Sequence, residues 1–270
     1  MKQPQHMAEP ATSVQNFQMY TEKYGLDPSQ EGDLYIPNEK PIAVLCLFHG
    51  GFWRMPYDRE QLTSVAIDLV QKGFAVWNVE YRRIGAEGGG WRGTLDDAVA
   101  SVNHLRSLCS DYSLSANKVV AIGHSAGGQL AIWLAKQYGK SNINGEPLLI
   151  KLDQVIGLAP VINLAKAVSD QLGNNSVLHL LGGSPEDYPE RYASCDPMRI
   201  LPTGVPQLIL HGSADDALPI QWTRDYVNAA RMAGENTEYI EVTNGGHMDY
   251  VDPGSEAASV LVKWLVQKYK

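Results

Sequence analysis

Cysteine is scarce in this sequence. Three cysteines, Cys46, Cys109 and Cys195, are spread over 270 residues. None belongs to a C-x-x-C motif or to a cysteine–histidine spacing that binds zinc. The sequence therefore predicts neither a disulfide framework nor a structural metal site, and no cofactor is expected. Cys46 lies within an apolar run and is predicted to be a small buried side chain.

Basic charge and long apolar runs are also scarce. Lys and Arg number 22 against 30 Asp and Glu, which gives a formal net charge of −8, and the longest basic cluster is the pair Arg82–Arg83. A nucleic-acid surface is thereby excluded, because it needs clustered Lys and Arg to neutralise phosphates. No stretch approaches the roughly 18 apolar residues of a membrane span, and the N-terminus lacks the apolar core of a secretory signal. These absences predict a cytoplasmic enzyme, monomeric or homodimeric, that acts on a small molecule.

Short apolar runs alternate with longer amphipathic segments along most of the chain. Strands that are covered by helices on both faces are continuously rich in Val, Ile and Leu. Such runs predict strands at Ile42–Phe48, Phe74–Val79, Lys118–Ile122, Val155–Leu158, Val205–Leu210 and Tyr239–Val242. Helical spacing predicts helices after Asp58, the expected N-cap, and over Leu95–Leu108, Ser125–Tyr138, Ile220–Ala233 and Glu256–Tyr269. The pattern indicates the α/β class, with a mostly parallel central sheet flanked by helices.

Two parts of the chain depart from this alternation. Residues 163–204 are rich in Gly and Pro and too long for a simple connection. They are therefore predicted to form a small lid on a single domain that spans residues 41–270. Residues 1–40 are predicted to be an N-terminal arm or edge strands, and the further alternative is that they form part of the lid.

A G-x-S-x-G pentapeptide, Gly123–Gly127, directly follows the third predicted strand and opens a helix. A serine hydroxyl becomes a useful nucleophile only when it is exposed and supplied with a base. A sharp strand-to-helix turn exposes the hydroxyl of Ser125, and glycines at both ends leave room for the close approach of strand and helix. The first N–H groups of the helix then face developing negative charge. His124 is predicted to pack beside this turn.

Three further motifs follow other predicted strands. His49–Trp53 (HGGFW) ends the first strand, and its glycine pair lets backbone N–H groups approach an oxyanion. HGSADDALP begins at His211 after the penultimate strand, and Gly245–His247 follows the last one. The order of serine, acid and histidine, each after a different strand, is the order that a serine hydrolase on a parallel sheet needs. His247 would take the serine proton and a carboxylate would fix its tautomer.

On these motifs the chain, from about Pro41 onward, resembles the bacterial α/β-hydrolase-fold esterases. It is similar both to the hormone-sensitive-lipase-like carboxylesterases and to the arylformamidases (kynurenine formamidases). The resemblance implies the α/β-hydrolase fold, with Ser125 as nucleophile and His247 as base. It places the acid at the fourth residue after His211, which is Asp215, with Asp216 as the rival.

The resemblance also implies a set of substrate-facing groups. The backbone N–H groups of Gly51 and Ala126 are the expected oxyanion donors, and that of Phe52 is a third. Lipase-like relatives often carry another glycine where this chain has Phe52, and the aromatic ring should narrow the pocket, as in the formamidase-like version of the motif. Trp53 and Trp91 are expected to contact substrate, and for Trp91 a role in covering the core is an equal alternative.

The run Glu80–Arg83 follows the second predicted strand. It is interpreted as a packed ion pair that holds the oxyanion loop, with substrate contact as the alternative. The leading functional prediction is hydrolysis of carboxylic esters with small to medium acyl groups through an acyl-enzyme intermediate. Hydrolysis of aryl formamides is the alternative, and Phe52 and Trp53 favour it somewhat. A non-catalytic binding protein is disfavoured, because every position of the triad is filled.

Overall fold

The strands of the described residues form one sheet. The structure is a computed structural model, and it describes residues 16–115, 117–140 and 145–270. The strands are β1 (Phe17–Lys23), β2 (Glu31–Pro37), β3 (Val44–Phe48), β4 (Ala75–Val79), β5 (Val119–His124), β6 (Gln154–Leu158), β7 (Gln207–Gly212) and β8 (Thr237–Val242). They lie in the order β1-β2-β4-β3-β5-β6-β7-β8. β1 and β2 pair antiparallel with their neighbours and all other pairs are parallel, so the predicted mostly parallel sheet is confirmed.

Burial explains the apolar runs seen in the sequence. Every residue of β3, β4, β5, β6 and β7 is buried, because helices cover both faces of the sheet. β1 and β2 form an antiparallel pair at one edge of the sheet, with β1 outermost and β2 paired to β4. The preceding residues, 1–15, lie outside the described residues.

Helices connect the parallel strands. They are α1 (Thr63–Gln71), α2 (Gly93–Asn103), α3 (Leu105–Asp111), α4 (Ala126–Leu134), α5 (Leu164–Ser169), α6 (Leu172–Leu181), α7 (Pro189–Cys195), α8 (Ile220–Met232) and α9 (Glu256–Tyr269). α1 and α9 pack on one face of the sheet, and α2, α4 and α8 pack on the other. Among the described helices, none combines the length and the apolar character that crossing a membrane requires.

Three helix predictions differ from the structure. The helix predicted over Leu95–Leu108 is divided, because the indole N–H of Trp77 donates to the Ser101 carbonyl at 3.1 Å. In an unbroken helix that carbonyl would accept from Leu105 instead. The helix predicted over 125–138 ends at Leu134 and continues as tighter i→i−3 turns. Asp58 caps a short 3-10 turn, Arg59–Leu62, which leads into α1.

The segment predicted as a lid contains α5, α6 and α7 between β6 and β7. Buried side chains such as Leu180 and Tyr192 join the core on that face of the sheet. Two side chains of α4 fasten it: the amide of Gln129 donates to the Cys195 carbonyl at 3.1 Å, and the indole of Trp133 donates to the Ser194 carbonyl at 3.0 Å. The segment is therefore packed onto the helix that follows the candidate nucleophile.

Candidate active site

Ser125 occupies the sharp turn between β5 and α4. Its backbone has φ 54° and ψ −116°, a region that side chains rarely adopt and that costs about 1–3 kcal/mol. A Cβ atom on Gly123 would lie 2.0 Å from the Gly127 carbonyl oxygen, and one on Gly127 would lie 2.0 Å from the Phe48 carbonyl oxygen. Both glycines are therefore required by close backbone approach, as the motif predicts. The Ser125 hydroxyl makes no hydrogen bond to another described residue.

An acid and a histidine meet after β7 and β8. Asp215 Oδ2 lies 2.7 Å from His247 Nδ1, and Asp215 Oδ1 accepts the N–H groups of Ala217 and Leu218 at 2.8 Å each. A carboxylate can only accept, so Nδ1 carries the proton and His247 Nε2 is left with a free lone pair. Asp216, the rival acid, is exposed. Of the two aspartates, the structure brings Asp215 to the histidine.

A second imidazole contacts the same carboxylate. His211 is buried, and its Nε2 lies 3.1 Å from Asp215 Oδ2 while its Nδ1 lies 2.7 Å from Thr223 Oγ1. Burial alone would raise the pKa of Asp215, but the contacts with His211 and His247 and the N–H of Leu218 outweigh burial and hold that pKa well below its usual value. Asp215 is therefore ionised at neutral pH. The sequence contained no signal for Thr223, because it lies on another element, α8.

The loop after β3 presents free backbone donors. In the described part of the chain, no group accepts a hydrogen bond from the N–H of Gly51, Phe52 or Ala126, the three predicted oxyanion donors. Gly51 has φ 97° and Phe52 has φ 55°, which turns these N–H groups away from the strand direction. The preceding N–H, that of Gly50, is held by the side-chain oxygen of Gln61 at 2.7 Å. A Cβ on Gly50 would lie 3.1 Å from Ser125 Cβ, so the loop packs against Ser125.

A buried ion pair anchors this loop. His49 Nε2 lies 3.0 Å from Glu80 Oε1, and the His49 ring stacks on Tyr81 at a centroid distance of 4.3 Å. The Tyr81 hydroxyl donates to the His49 carbonyl at 2.9 Å, and Arg83 Nε lies 3.3 Å from Glu80 Oε1. Burial would raise the pKa of Glu80, yet His49 and Arg83 lower it below its usual value. Glu80 thus holds the loop from within the core, in agreement with the interpretation as a packed ion pair.

The three aromatic residues predicted to lie near substrate differ in their burial and contacts. Trp53 is 0% exposed, so it offers no surface to substrate, and the prediction that it contacts substrate is wrong: its ring belongs to the core beneath the loop. Phe52 is half-buried and packs on the lid, since a Cβ on Gly173 would lie 2.4 Å from Phe52 Cδ1. Trp91 is half-buried, packs against the core and lies 5.2 Å from the Arg191 guanidinium of α7. Trp91 therefore matches its core-covering alternative.

Arg54 joins the loop to the lid. Its guanidinium donates to the carbonyls of Gly173 and Asn174 at 2.7 Å each, and it lies 2.6 Å from His179 Nδ1. No sequence pattern indicated this contact, because the partners of Arg54 are more than a hundred positions away. Within the described residues, no group of three or more His, Cys, Asp and Glu side chains could hold a metal ion.

The parallel sheet, the strained turn after β5 and the groups after β3, β7 and β8 define a protein of the α/β-hydrolase class. The chain belongs to the BD-FAE family, whose family model matches residues 33–229. Solved structures confirm the fold at low identity. A truncated carbohydrate esterase from gut microbiota superposes with a TM-score of 0.80 at 21% identity, covering 95% of this chain and 98% of that one. The esterase Est2 of Thermogutta terrifontis gives a TM-score of 0.72 at 19% identity, covering 93% and 90%.

Similar sequences carry esterase names. The isoprenylcysteine alpha-carbonyl methylesterase ICME of Arabidopsis thaliana is 24% identical over 249 residues, covering 84% of this chain and 55% of that protein. Esterase LipC of Mycobacterium tuberculosis is 23% identical over 237 residues, covering 83% of this chain and 58% of that protein. The chain therefore spans little more than half the length of these relatives.

Proposed function

We propose that this protein is a serine esterase that hydrolyses carboxylic esters of small to medium acyl groups through an acyl-enzyme intermediate. The observation that carries the proposal is the 2.7 Å contact between Asp215 and His247 at the sheet edge where Ser125 occupies its strained turn. Esterase names among the similar proteins support the same reaction class.

The proposed reaction moves each proton between named groups. His247 Nε2 takes the Ser125 hydroxyl proton as the oxygen attacks the ester carbonyl carbon, and Asp215 stabilises the imidazolium that forms. The N–H groups of Gly51, Phe52 and Ala126 donate to the oxyanion. His247 then protonates the departing alcohol, which leaves an acyl group on the serine. A water molecule, deprotonated by His247, attacks that acyl group, the bond to the serine oxygen breaks with release of the carboxylic acid, and His247 returns the proton to that oxygen. The Ser125 hydroxyl has no hydrogen-bond partner among the described residues, so the proposal requires that His247 Nε2 come within hydrogen-bonding distance of it when substrate fills the site.

The oxyanion loop lies against the lid. Phe52 carries one of the donors and its ring packs against Gly173 of the lid, while Arg54 binds the same turn. This arrangement supports a preference for short acyl chains. Aryl formamide hydrolysis loses part of its support, because Trp53, one of the two aromatic residues that favoured it, is buried.

A substrate comparison tests the proposal. kcat/KM is measured for p-nitrophenyl acetate, butyrate and decanoate and for N-formylkynurenine, with Ser125→Ala as the inactive control. We expect the acetate or butyrate to be preferred, and Ser125→Ala to lose activity by several decades. A preference for the formamide, or an active Ser125→Ala variant, overturns the proposal.

A further inference from the structure

His124, the residue before the nucleophile, lies where three segments of the site meet. It is 1% exposed, at the end of β5. A Cβ on Gly50 of the oxyanion loop would lie 2.9 Å from His124 Nδ1, so the loop packs on one side of the ring. The His247 ring packs on another side, with a centroid distance of 4.8 Å. The mechanism derived above uses no atom of this side chain.

Hydrogen bonding fixes the proton of the His124 ring. Nε2 lies 2.9 Å from the backbone carbonyl oxygen of His247, and a carbonyl can only accept, so Nε2 must carry the hydrogen. Nδ1 lies 3.4 Å from Gln61 Oε1, which already accepts the N–H of Gly50 at 2.7 Å. Of these two contacts, the one from Nε2 to the His247 carbonyl is therefore the better hydrogen bond. It joins the end of β5, next to Ser125, directly to the loop that carries His247.

The surroundings keep this ring neutral. Burial, reinforced by the neighbouring His247 ring, lowers the pKa of His124 to about 3. The charge of Asp215 raises this pKa, whereas His49, like the His247 ring, lowers it. Neutrality matters because His247 becomes positively charged during turnover, and a second cation beside it would oppose that step.

We propose that His124 is a positioning residue that holds His247 in register with Ser125 through its Nε2–H bond to the His247 carbonyl. The inference rests on the proposed function, since it assigns Ser125 and His247 their roles. The N–H of Gly245 donates to the Val242 carbonyl at 3.1 Å and that of Gly246 to Asp249 Oδ2 at 2.8 Å, and neither bond involves the His247 backbone itself. The bond from the rigid strand end holds the His247 carbonyl directly.

Two amide variants test the inference. In His124→Gln the side-chain N–H takes roughly the position of Nε2, whereas in the matched variant His124→Asn the same group is one methylene shorter and cannot reach the His247 carbonyl. kcat is expressed per active site, titrated with a fluorophosphonate, so that unfolded protein does not count. We expect His124→Gln to stay within about threefold of wild type and His124→Asn to lose about ten- to a hundredfold in kcat with KM little changed, the scale of a displacement near 1 Å.

A second readout does not depend on catalysis. The proton on His247 Nδ1, which donates to Asp215, is followed as a downfield NMR signal. We expect this signal to keep its wild-type position in His124→Gln and to shift or broaden in His124→Asn. Equal kcat per titrated site in the two variants, together with an unchanged signal in both, overturns the positioning role and leaves His124 as a packing residue. Failure of the wild-type protein to react with the fluorophosphonate instead overturns the proposed function, and the NMR comparison still decides the inference.

Discussion

Replacement of Asp215 by Asn should block catalysis through the tautomer of His247. Asp215 Oδ1 accepts two backbone N–H groups, from Ala217 and Leu218. In Asp215→Asn that position must keep the amide oxygen, so the NH2 group takes the place of Oδ2 and faces His247 Nδ1. An NH2 group donates, and the imidazole must therefore accept at Nδ1 and move its proton to Nε2. Nε2 then cannot take the serine proton.

The expected loss in kcat follows from the proton transfer to His247 Nε2 that is blocked. A histidine held in the wrong tautomer lowers kcat by about 10⁴, which corresponds to about 5 kcal/mol of transition-state stabilisation. Asp216→Asn is the matched control, because Asp216 is adjacent and exposed. An exposed substitution of this kind should change kcat by less than about twofold.

Initial rates with p-nitrophenyl acetate near neutral pH provide the assay. Urea unfolding of both variants shows that each is folded under the assay conditions. A larger loss of kcat in Asp216→Asn than in Asp215→Asn, or equal kcat in the two variants, would show that Asp215 does not set the tautomer of His247.

Two further changes have defined outcomes. Gly51→Ala should lower kcat by about 10²–10³, because its Cβ would lie 2.3 Å from Tyr57 and displace an oxyanion donor. Gly85→Ala is the control: its φ of 102° resembles the 97° of Gly51, but its Cβ would lie 3.7 Å from Met55, and kcat should stay near wild type. The depressed pKa of His124, about 3 against an ordinary 6.5, means that the unfolded chain binds the proton first as pH falls. Wild type should therefore lose about 2–3 kcal/mol more stability than His124→Gln between about pH 7 and pH 4.5, measured by urea unfolding, and equal losses would contradict this.

The spacing of apolar residues correctly predicted an element that packs on the same face of the sheet along its whole length. Helix α9 has the predicted bounds, Glu256–Tyr269, because its apolar stripe packs on one face of the sheet throughout. The break between α2 and α3 could not be predicted, since it comes from the Trp77 indole of a neighbouring strand. The spacing of apolar residues indicates which face of a helix is buried, but it does not indicate a hydrogen bond donated by a side chain of another element.

The motifs predicted the residues of the candidate site but not the contacts that hold those residues in place. Ser125, Asp215 and His247 were predicted because each follows a strand whose carboxyl end lies at one edge of the sheet. The Trp53 prediction failed because a motif records a residue's place in the chain, and the left-handed turn that directs this ring into the core is a tertiary property. The bond from His124 to His247 joins residues 123 positions apart, so only the fold reveals it.

We propose that Ser125 is activated by His247 across the edge of the sheet. The reaction of the protein with a fluorophosphonate, with the modified residue located by peptide mass spectrometry, tests this activation. We expect one phosphonyl group per chain, on the Ser125 hydroxyl oxygen, and a rate of labelling that falls by several decades in His247→Ala. A protein that hydrolyses esters but carries the label on another residue, or none, would contradict the account.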